Sequence, residues 1–309
     1  MNLREISNRI NMPINLHEAF AKAEKIQNEE KIKEGNKKFR DHYGNAMVDS
    51  DLLKVKQRKE AFEVQATSSD RETKKLATVA EVILYQQIEE ADWFGPNART
   101  IKASEFDDLE NGADFIVEFE DDQDSKEPSS SHHLVIDVTF ASDVEKKMRG
   151  IKTGLHNHQI NTIKYYNTAY GDVKSNPNPI RLDGVSRVIV ALNMETVSDL
   201  MNLWLSDRAG VSKALAQHKV QFAILTQALI QLEKFRDYAE QEDVDRGSNA
   251  NAEIIKKYQT IYDLLNEVFT RKIIELEERG GALPDLDCDT AYKTMKNYLE
   301  KELPKKGRF

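Results

Sequence analysis

The sequence predicts an α/β fold, with a mixed β-sheet core flanked by helices and with helical extensions at both ends. Apolar segments at 114–119 and 134–140 alternate and are rich in β-branched and aromatic residues, as strands are. Further strands are predicted over 100–103 and 185–192. Around them, apolar residues recur every three or four positions, which is typical of helices with one buried face.

The pattern divides the chain into three regions. Residues 1–70 form a helical extension rich in lysine and glutamate, with a break near Gly44, and residues 71–206 form the α/β core. Residues 207–309 are helical, and the two long helices flanking Gly247 predict an antiparallel hairpin. These carboxy-terminal helices have three candidate roles, which are to form a homodimer, to clamp a substrate or to dock a protein partner.

Composition restricts the class of protein. The net charge of −9 over 309 residues argues against a broad basic surface, so contact with nucleic acid requires a local patch. The single cysteine, Cys288, excludes an intramolecular disulfide and favours a reducing compartment. No apolar run reaches the roughly 20 residues that span a bilayer, and the amino terminus lacks an apolar leader. We therefore expect a cytoplasmic protein without a membrane partner.

Two local patterns concern the region after the first long strand. Residues 121–133 are acidic and serine-rich and predict a long hairpin loop that carries His132 and His133. Ser142 and Glu145 have the spacing of a capping box, which predicts the start of a helix over 144–155.

Two aspartates lie in segments that otherwise read as buried strands. Asp114 shares a strand face with Glu118, and Asp137 shares one with Thr139, because side chains alternate along a strand. In a suitable register the two carboxylates lie side by side, and burying them costs free energy unless a cation accompanies them. Mg²⁺ prefers such oxygen ligands. A third acid, Glu81, interrupts the apolar face of the helix over 73–90.

This pattern resembles the PD-(D/E)xK nuclease superfamily, whose fold is the restriction-endonuclease-like α/β sheet. The resemblance covers about residues 76–192 and implies that Asp114, Asp137 and Glu81 hold Mg²⁺ or Mn²⁺, with Glu81 orienting a water or completing the ligand shell. Two positions differ from the family pattern. Ala113 replaces a proline, and Thr139 stands where the family has a lysine.

Some members of the superfamily supply that lysine from the following helix, and two residues of this chain qualify. Lys147 and Lys152 flank the apolar stripe of the helix over 144–155 on opposite edges, whereas Lys146 points away from it. We favour Lys147, which is one turn nearer the strand, and keep Lys152 as the alternative. His158 lies on the same edge as Lys147 and is a further candidate polar contact.

The resemblance implies a metal-dependent nuclease, with an endonuclease acting on DNA or RNA as the favoured form. A basic segment over 146–164 suits a phosphate backbone. The alternative is a catalytically degenerate protein of the same fold that binds nucleic acid or assembles with proteins. A third possibility is a helical scaffold, for which Glu81, Asp114 and Asp137 would not cluster. Motifs for nucleotide-triphosphate, dinucleotide or serine-hydrolase chemistry are absent from the sequence.

Overall fold

A computed structural model describes residues 15–120, 131–169, 180–206 and 209–303 of the chain. Its centre is a five-stranded mixed sheet with the strand order β1-β2-β3-β5-β4. The β3–β5 pair is parallel, and the other pairs are antiparallel. The strands are β1 (Ala98–Lys102), β2 (Phe115–Glu120), β3 (Ser131–Phe140), β4 (Asn161–Ile163) and β5 (Leu182–Leu192).

Helices surround this sheet and extend it at both ends, so the predicted α/β class is confirmed. The helices before β3 are α1 (Leu16–Glu30), α2 (Lys37–Tyr43), α3 (Asn45–Gln65), α4 (Ser68–Glu90) and α5 (Glu105–Asn111). Those after it are α6 (Val144–His156), α7 (Met194–Trp204), α8 (Ala209–Ala216), α9 (Val220–Arg246), α10 (Ala252–Glu278) and α11 (Thr290–Glu302). A short 3₁₀ turn, Leu286–Cys288, precedes α11.

Side-chain alternation separates the two faces of the sheet as the sequence predicts. Phe115 and Ile136 belong to the main apolar core, whereas Ile116 and Val135 belong to a smaller cluster on the other face. Phe115 pairs with Ile136 across β2 and β3. The pairing ends there, and the backbone N–H of Asp114, the residue before β2, donates to the Ile136 carbonyl at 3.0 Å, which brings Asp114 beside the part of β3 that carries Asp137.

The far edge of the sheet is completed by side chains instead of a strand. Beyond the short β4, the backbone of Ile189 in β5 donates to Gln231 Oε1 (2.8 Å) and accepts from Gln231 Nε2 (2.7 Å). Gln227, one turn earlier on α9, makes the same pair of bonds with Ala191 at 2.8 and 3.0 Å. Two buried amides thus satisfy backbone groups that an edge strand leaves open.

The carboxy-terminal hairpin is also present. Phe222 of α9 packs on Phe269 of α10, and Phe235 of α9 packs on Tyr258 of α10, with ring centroids 6.4 and 6.1 Å apart. Because the later residue of α9 meets the earlier residue of α10, the two helices are antiparallel. Within the described part of the chain, no helix is long and apolar enough to cross a membrane.

Three local predictions were wrong or incomplete. His132 and His133 lie in β3, where His133 is half-buried beside the Tyr166 hydroxyl at 2.9 Å, while 121–130 lies outside the described residues. The capping box at Ser142 does not form, because Asp143 is the N-cap of α6 and makes no side-chain capping bond. The elements α5 and β4 were not predicted, since seven and three residues are too few for a periodic signal.

Candidate active site

The two strand aspartates lie at one end of the sheet, and Asp137 is bound by two cations. Lys147 Nζ, from α6, forms an ion pair with Asp137 Oδ1. Arg187 Nη2, from β5, forms an ion pair with Asp137 Oδ2. Asp137 is 2% exposed, so both of its oxygens are neutralised inside the protein rather than by water.

Asp114 immediately precedes β2 and is buried. Its Oδ2 accepts a hydrogen bond of 2.6 Å from the backbone N–H of Val138, and no cationic side chain of the described residues lies within ion-pair distance. Burial, together with the charges of Glu81, Asp108 and Asp137, raises the pKa of Asp114 well above its usual value. The four acids therefore repel one another, and we call them the carboxylate cluster.

Glu81 projects from α4 toward the same cluster and is held by two donors. Lys102 Nζ, from β1, and Gln27 Nε2, from α1, each lie 3.0 Å from Glu81 Oε2. Lys102 is 2% exposed. Burial alone would lower the pKa of its ammonium, but the charges of Glu81 and Asp114 outweigh burial, so the pKa is raised. Lys102 therefore stays charged and fixes one oxygen of Glu81, which leaves Oε1 for another ligand.

Asp108, on α5, is the member of the cluster that the sequence did not predict. Burial and the charge of Glu81 raise the pKa of Asp108 to about 6, against the opposing effects of Lys31 and Lys102. No hydrogen bond or ion pair joins its carboxylate to another described side chain. Asp108 therefore adds negative charge to the cluster without a direct partner of its own.

The end of α5 shapes the position of Arg187. Arg187 Nη1 donates to the backbone carbonyl of Asn111 at 3.1 Å. Gly112, the next residue, is left-handed with φ +62°, and a Cβ there would lie 2.3 Å from Arg187 Nη2. Position 112 therefore requires glycine for two reasons, which are the left-handed backbone conformation and the close approach of the Arg187 guanidinium.

The structure distinguishes between the two lysines that the sequence left open. Lys147 contacts Asp137, whereas Lys152 Nζ donates to the backbone carbonyl of Glu302 at 2.8 Å, away from the cluster. Thr139 is buried on the face of Asp137. His158 does not join the cluster, because its imidazole contacts Asn251 and Arg246 at 3.0 and 2.9 Å.

The carboxylate cluster is the candidate site for a metal ion. Among the described residues, no three His, Cys, Asp or Glu side chains converge closely enough to coordinate one ion in the present side-chain positions. Yet Asp114 and Asp108 have raised pKa values and no ion-pair partner, so a cation near them would favour their charged forms. Carboxylate oxygens are ligands that Mg²⁺ and Mn²⁺ accept, but the side chains would have to move together, and Asp137 would have to exchange a cationic partner, before they held one ion.

Three cluster contacts were not predicted from the sequence, and each left a weak signal. Lys102 and Arg187 are charged residues in strands that are otherwise apolar, as the two aspartates are. Asp108 belongs to the acidic run just before the strand predicted over 114–119. A charged residue in a buried strand is unusual enough to predict a partner, although not which one.

No family model, curated protein or solved structure matches this chain. Any function of the chain must therefore be inferred from the geometry of the carboxylate cluster.

Proposed function

We propose that this chain is a metal-dependent phosphodiesterase, a nuclease of restriction-endonuclease-like fold that cleaves DNA or RNA internally with Mg²⁺ or Mn²⁺. The observation that carries the proposal is that acids from two neighbouring strands and one helix act on one another electrostatically, beside a lysine and an arginine. Acids to hold a metal and cations to hold a phosphate are the two requirements of phosphodiester hydrolysis.

The acids have separate roles in this proposal. Asp114 and Asp137 hold the metal, directly or through water, and Glu81 completes the shell or orients a water with its free oxygen. Mg²⁺ bound there would polarise a phosphoryl oxygen and lower the pKa of the attacking water. Lys102 is a positioning residue because it holds Glu81, and Asp108 increases the negative charge that attracts the ion.

The cations at Asp137 mark the place of the phosphate. Lys147 and Arg187 neutralise Asp137 in the present structure. If Asp137 held a metal ion, Lys147 and Arg187 would be free to contact the phosphate oxygens and would stabilise the charge that develops during attack. Lys147 thus takes the role that Thr139 cannot fill.

A degenerate protein of the same fold, which binds nucleic acid or assembles with other proteins, is the second candidate. It is favoured by the ion pairs that Asp137 and Glu81 already make, since these two acids need no metal to be neutralised. This candidate predicts nucleic-acid or protein binding without metal-dependent cleavage.

The experiment is a cleavage assay with the full chain on labelled single-stranded and duplex DNA and RNA, in Mg²⁺, in Mn²⁺ and in EDTA. We expect cleavage with either metal and none in EDTA. Asp137→Ala should abolish cleavage while the protein remains folded, as checked by circular dichroism. An Asp137→Ala variant that cleaves at the wild-type rate would exclude the mechanism.

A further inference from the structure

A cavity of about 270 Å³ lies beside the carboxylate cluster, between α6, β4 and α10. Arg187 lines this cavity, and the same side chain forms the ion pair with Asp137. A ligand in the cavity would therefore lie next to a substrate group held by Arg187 at the cluster.

The cavity wall is rich in side-chain amides. Gln159 and Asn161 line it together with Gly150 and Gly154 of α6, whereas the Asn111 amide donates to Asp107 and Asn111 offers its backbone carbonyl. Asn161 Nδ2 donates to the Asn111 backbone carbonyl at 2.9 Å, which leaves Asn161 Oδ1 as an acceptor. Amides offer both donors and acceptors, which is the combination that recognises the edge of a nucleobase.

Two buried donors on this wall have no acceptor. Arg187 Nε–H and the Tyr258 hydroxyl have no hydrogen-bond partner in the described part of the chain, and both residues line the cavity. Burial raises the pKa of Tyr258 to about 12, so the phenol keeps its proton. An unpaired buried donor is unfavourable, but neither atom has accessible surface in the cavity, so the groups that a ligand would contact are the accessible amides of Gln159 and Asn161.

The size and position of the cavity restrict that ligand. Its volume is below the range of about 300–1,000 Å³ that is usual for drug-sized molecules, so it suits one small planar group. At Gly150 an added Cβ would meet no atom within 4 Å. The glycine therefore leaves open space on α6, one turn from Lys147.

Building on the nuclease function proposed above, we propose that this cavity is a subsite for one unpaired nucleobase of the substrate strand, next to the phosphodiester at the carboxylate cluster. A paired base cannot enter it, so the substrate is single-stranded at this position. A single base that forms hydrogen bonds in such a site increases affinity about tenfold.

The test measures binding of the full chain in EDTA, by fluorescence anisotropy, to labelled single-stranded hexanucleotides of DNA and of RNA. Each strand is used intact and with an abasic residue at every position in turn. We expect one abasic position to weaken binding about tenfold, with little effect elsewhere. Gly150→Leu, which fills the cavity, should bind the intact strand as weakly as wild type binds the abasic one.

Gly150→Ala is the matched control, because it changes the same helix position but leaves most of the space. Both substitutions favour the helical conformation relative to glycine, and thermal unfolding checks that both variants are folded. The subsite is overturned if no abasic position weakens the affinity of the wild-type chain. It is also overturned if the loss of affinity at an abasic position is the same in Gly150→Leu. Metal-dependent cleavage could still be observed in either case, so the nuclease proposal would stand.

The same experiments also show whether the nuclease proposal fails while the subsite holds. If the abasic and Gly150→Leu effects appear together but no metal cleaves any substrate, the subsite stands and the degenerate binding protein replaces the nuclease. If no hexanucleotide binds and nothing is cleaved, both proposals are overturned.

Discussion

Lys147 and Asp137 form an ion pair that joins the first turn of α6 to β3, the strand that precedes it. Burial lowers the pKa of the Lys147 ammonium, but Asp137 and Asp114 raise it more, so the side chain remains charged. In the proposed nuclease, Lys147 would supply from this helix the charge that the resemblance places on the strand, where this chain has Thr139. Because Lys147 contacts Asp137 and Lys152 contacts Glu302, replacing each lysine in turn tests which of them acts at the cluster.

Lys147→Ala should lower the rate of metal-dependent cleavage by about 10²- to 10³-fold, the usual loss when one group that stabilises transition-state charge is removed. Lys152→Ala should cleave at close to the wild-type rate, because Lys152 binds Glu302 instead of the cluster. Single-turnover kinetics with saturating substrate would measure both. Equal losses in the two variants would mean that Lys147 has no special role.

Mg²⁺ or Mn²⁺ should raise the melting temperature of the wild-type chain, because an ion that binds only the folded state stabilises it. At a concentration 100 times its dissociation constant, the gain is about 2.7 kcal/mol. Asp114→Ala should lose most of this gain, since it removes a proposed ligand. Differential scanning calorimetry with and without metal measures the effect.

Asp41→Ala, an exposed change on α2, is the control for a general effect of removing an acid. A metal-induced increase of equal size in the Asp114→Ala and Asp41→Ala variants would place the ion outside the carboxylate cluster. No increase in the wild-type chain would favour the degenerate binding protein.

Gln231→Leu should destabilise the fold by about 2–6 kcal/mol, because it leaves the buried N–H and C=O of Ile189 without partners, at about 1–3 kcal/mol for each group. Gln241→Leu, farther along α9 where the amide bonds only to Asp245, should change stability by less than about 1 kcal/mol. Urea unfolding followed by circular dichroism compares the two. Similar losses would show that the edge of β5 does not need the amide.

The sequence was sufficient to predict strands β2 and β3 and their pairing, because alternation and closeness in the chain are local properties. Alternation with a period of two determines the face of Asp114 and of Asp137, and pairing of β2 with β3 then follows from their closeness in the chain. The helical period similarly reduced the lysine candidates to two. Each of these inferences needed fewer than about 35 consecutive residues of sequence.

The partners of these acids could not be predicted, because they depend on how distant segments pack. Arg187 reaches Asp137 only because β5 lies parallel to β3, and Lys102 reaches Glu81 only because α4 packs against β1. Gln231 resembles an ordinary surface residue until α9 is placed along the open edge of β5. Strand order and helix docking are tertiary properties, so no local pattern contains them.

Asp108→Asn should make the folded chain more stable at pH 8 and should change it little at pH 4. The carboxyl titrates near its ordinary pKa of 3.8 in the unfolded chain and near 6 in the folded one. Between these values the folded state binds the extra proton, so stability falls as pH rises and the full loss is present above about pH 6. Asparagine cannot ionise and removes this penalty.

We expect the melting temperature of Asp108→Asn at pH 8 in EDTA to exceed that of wild type by about 1–2 °C, the shift that accompanies roughly 1 kcal/mol in a chain of this size. With Mg²⁺ the difference should shrink or reverse, because the proposed ion favours the ionised Asp108 that the variant lacks. Melting curves from pH 4 to 8 measure both effects, with Asp41→Asn as the control. An Asp108→Asn variant with the pH profile of wild type would show that the Asp108 charge is not opposed in the folded state.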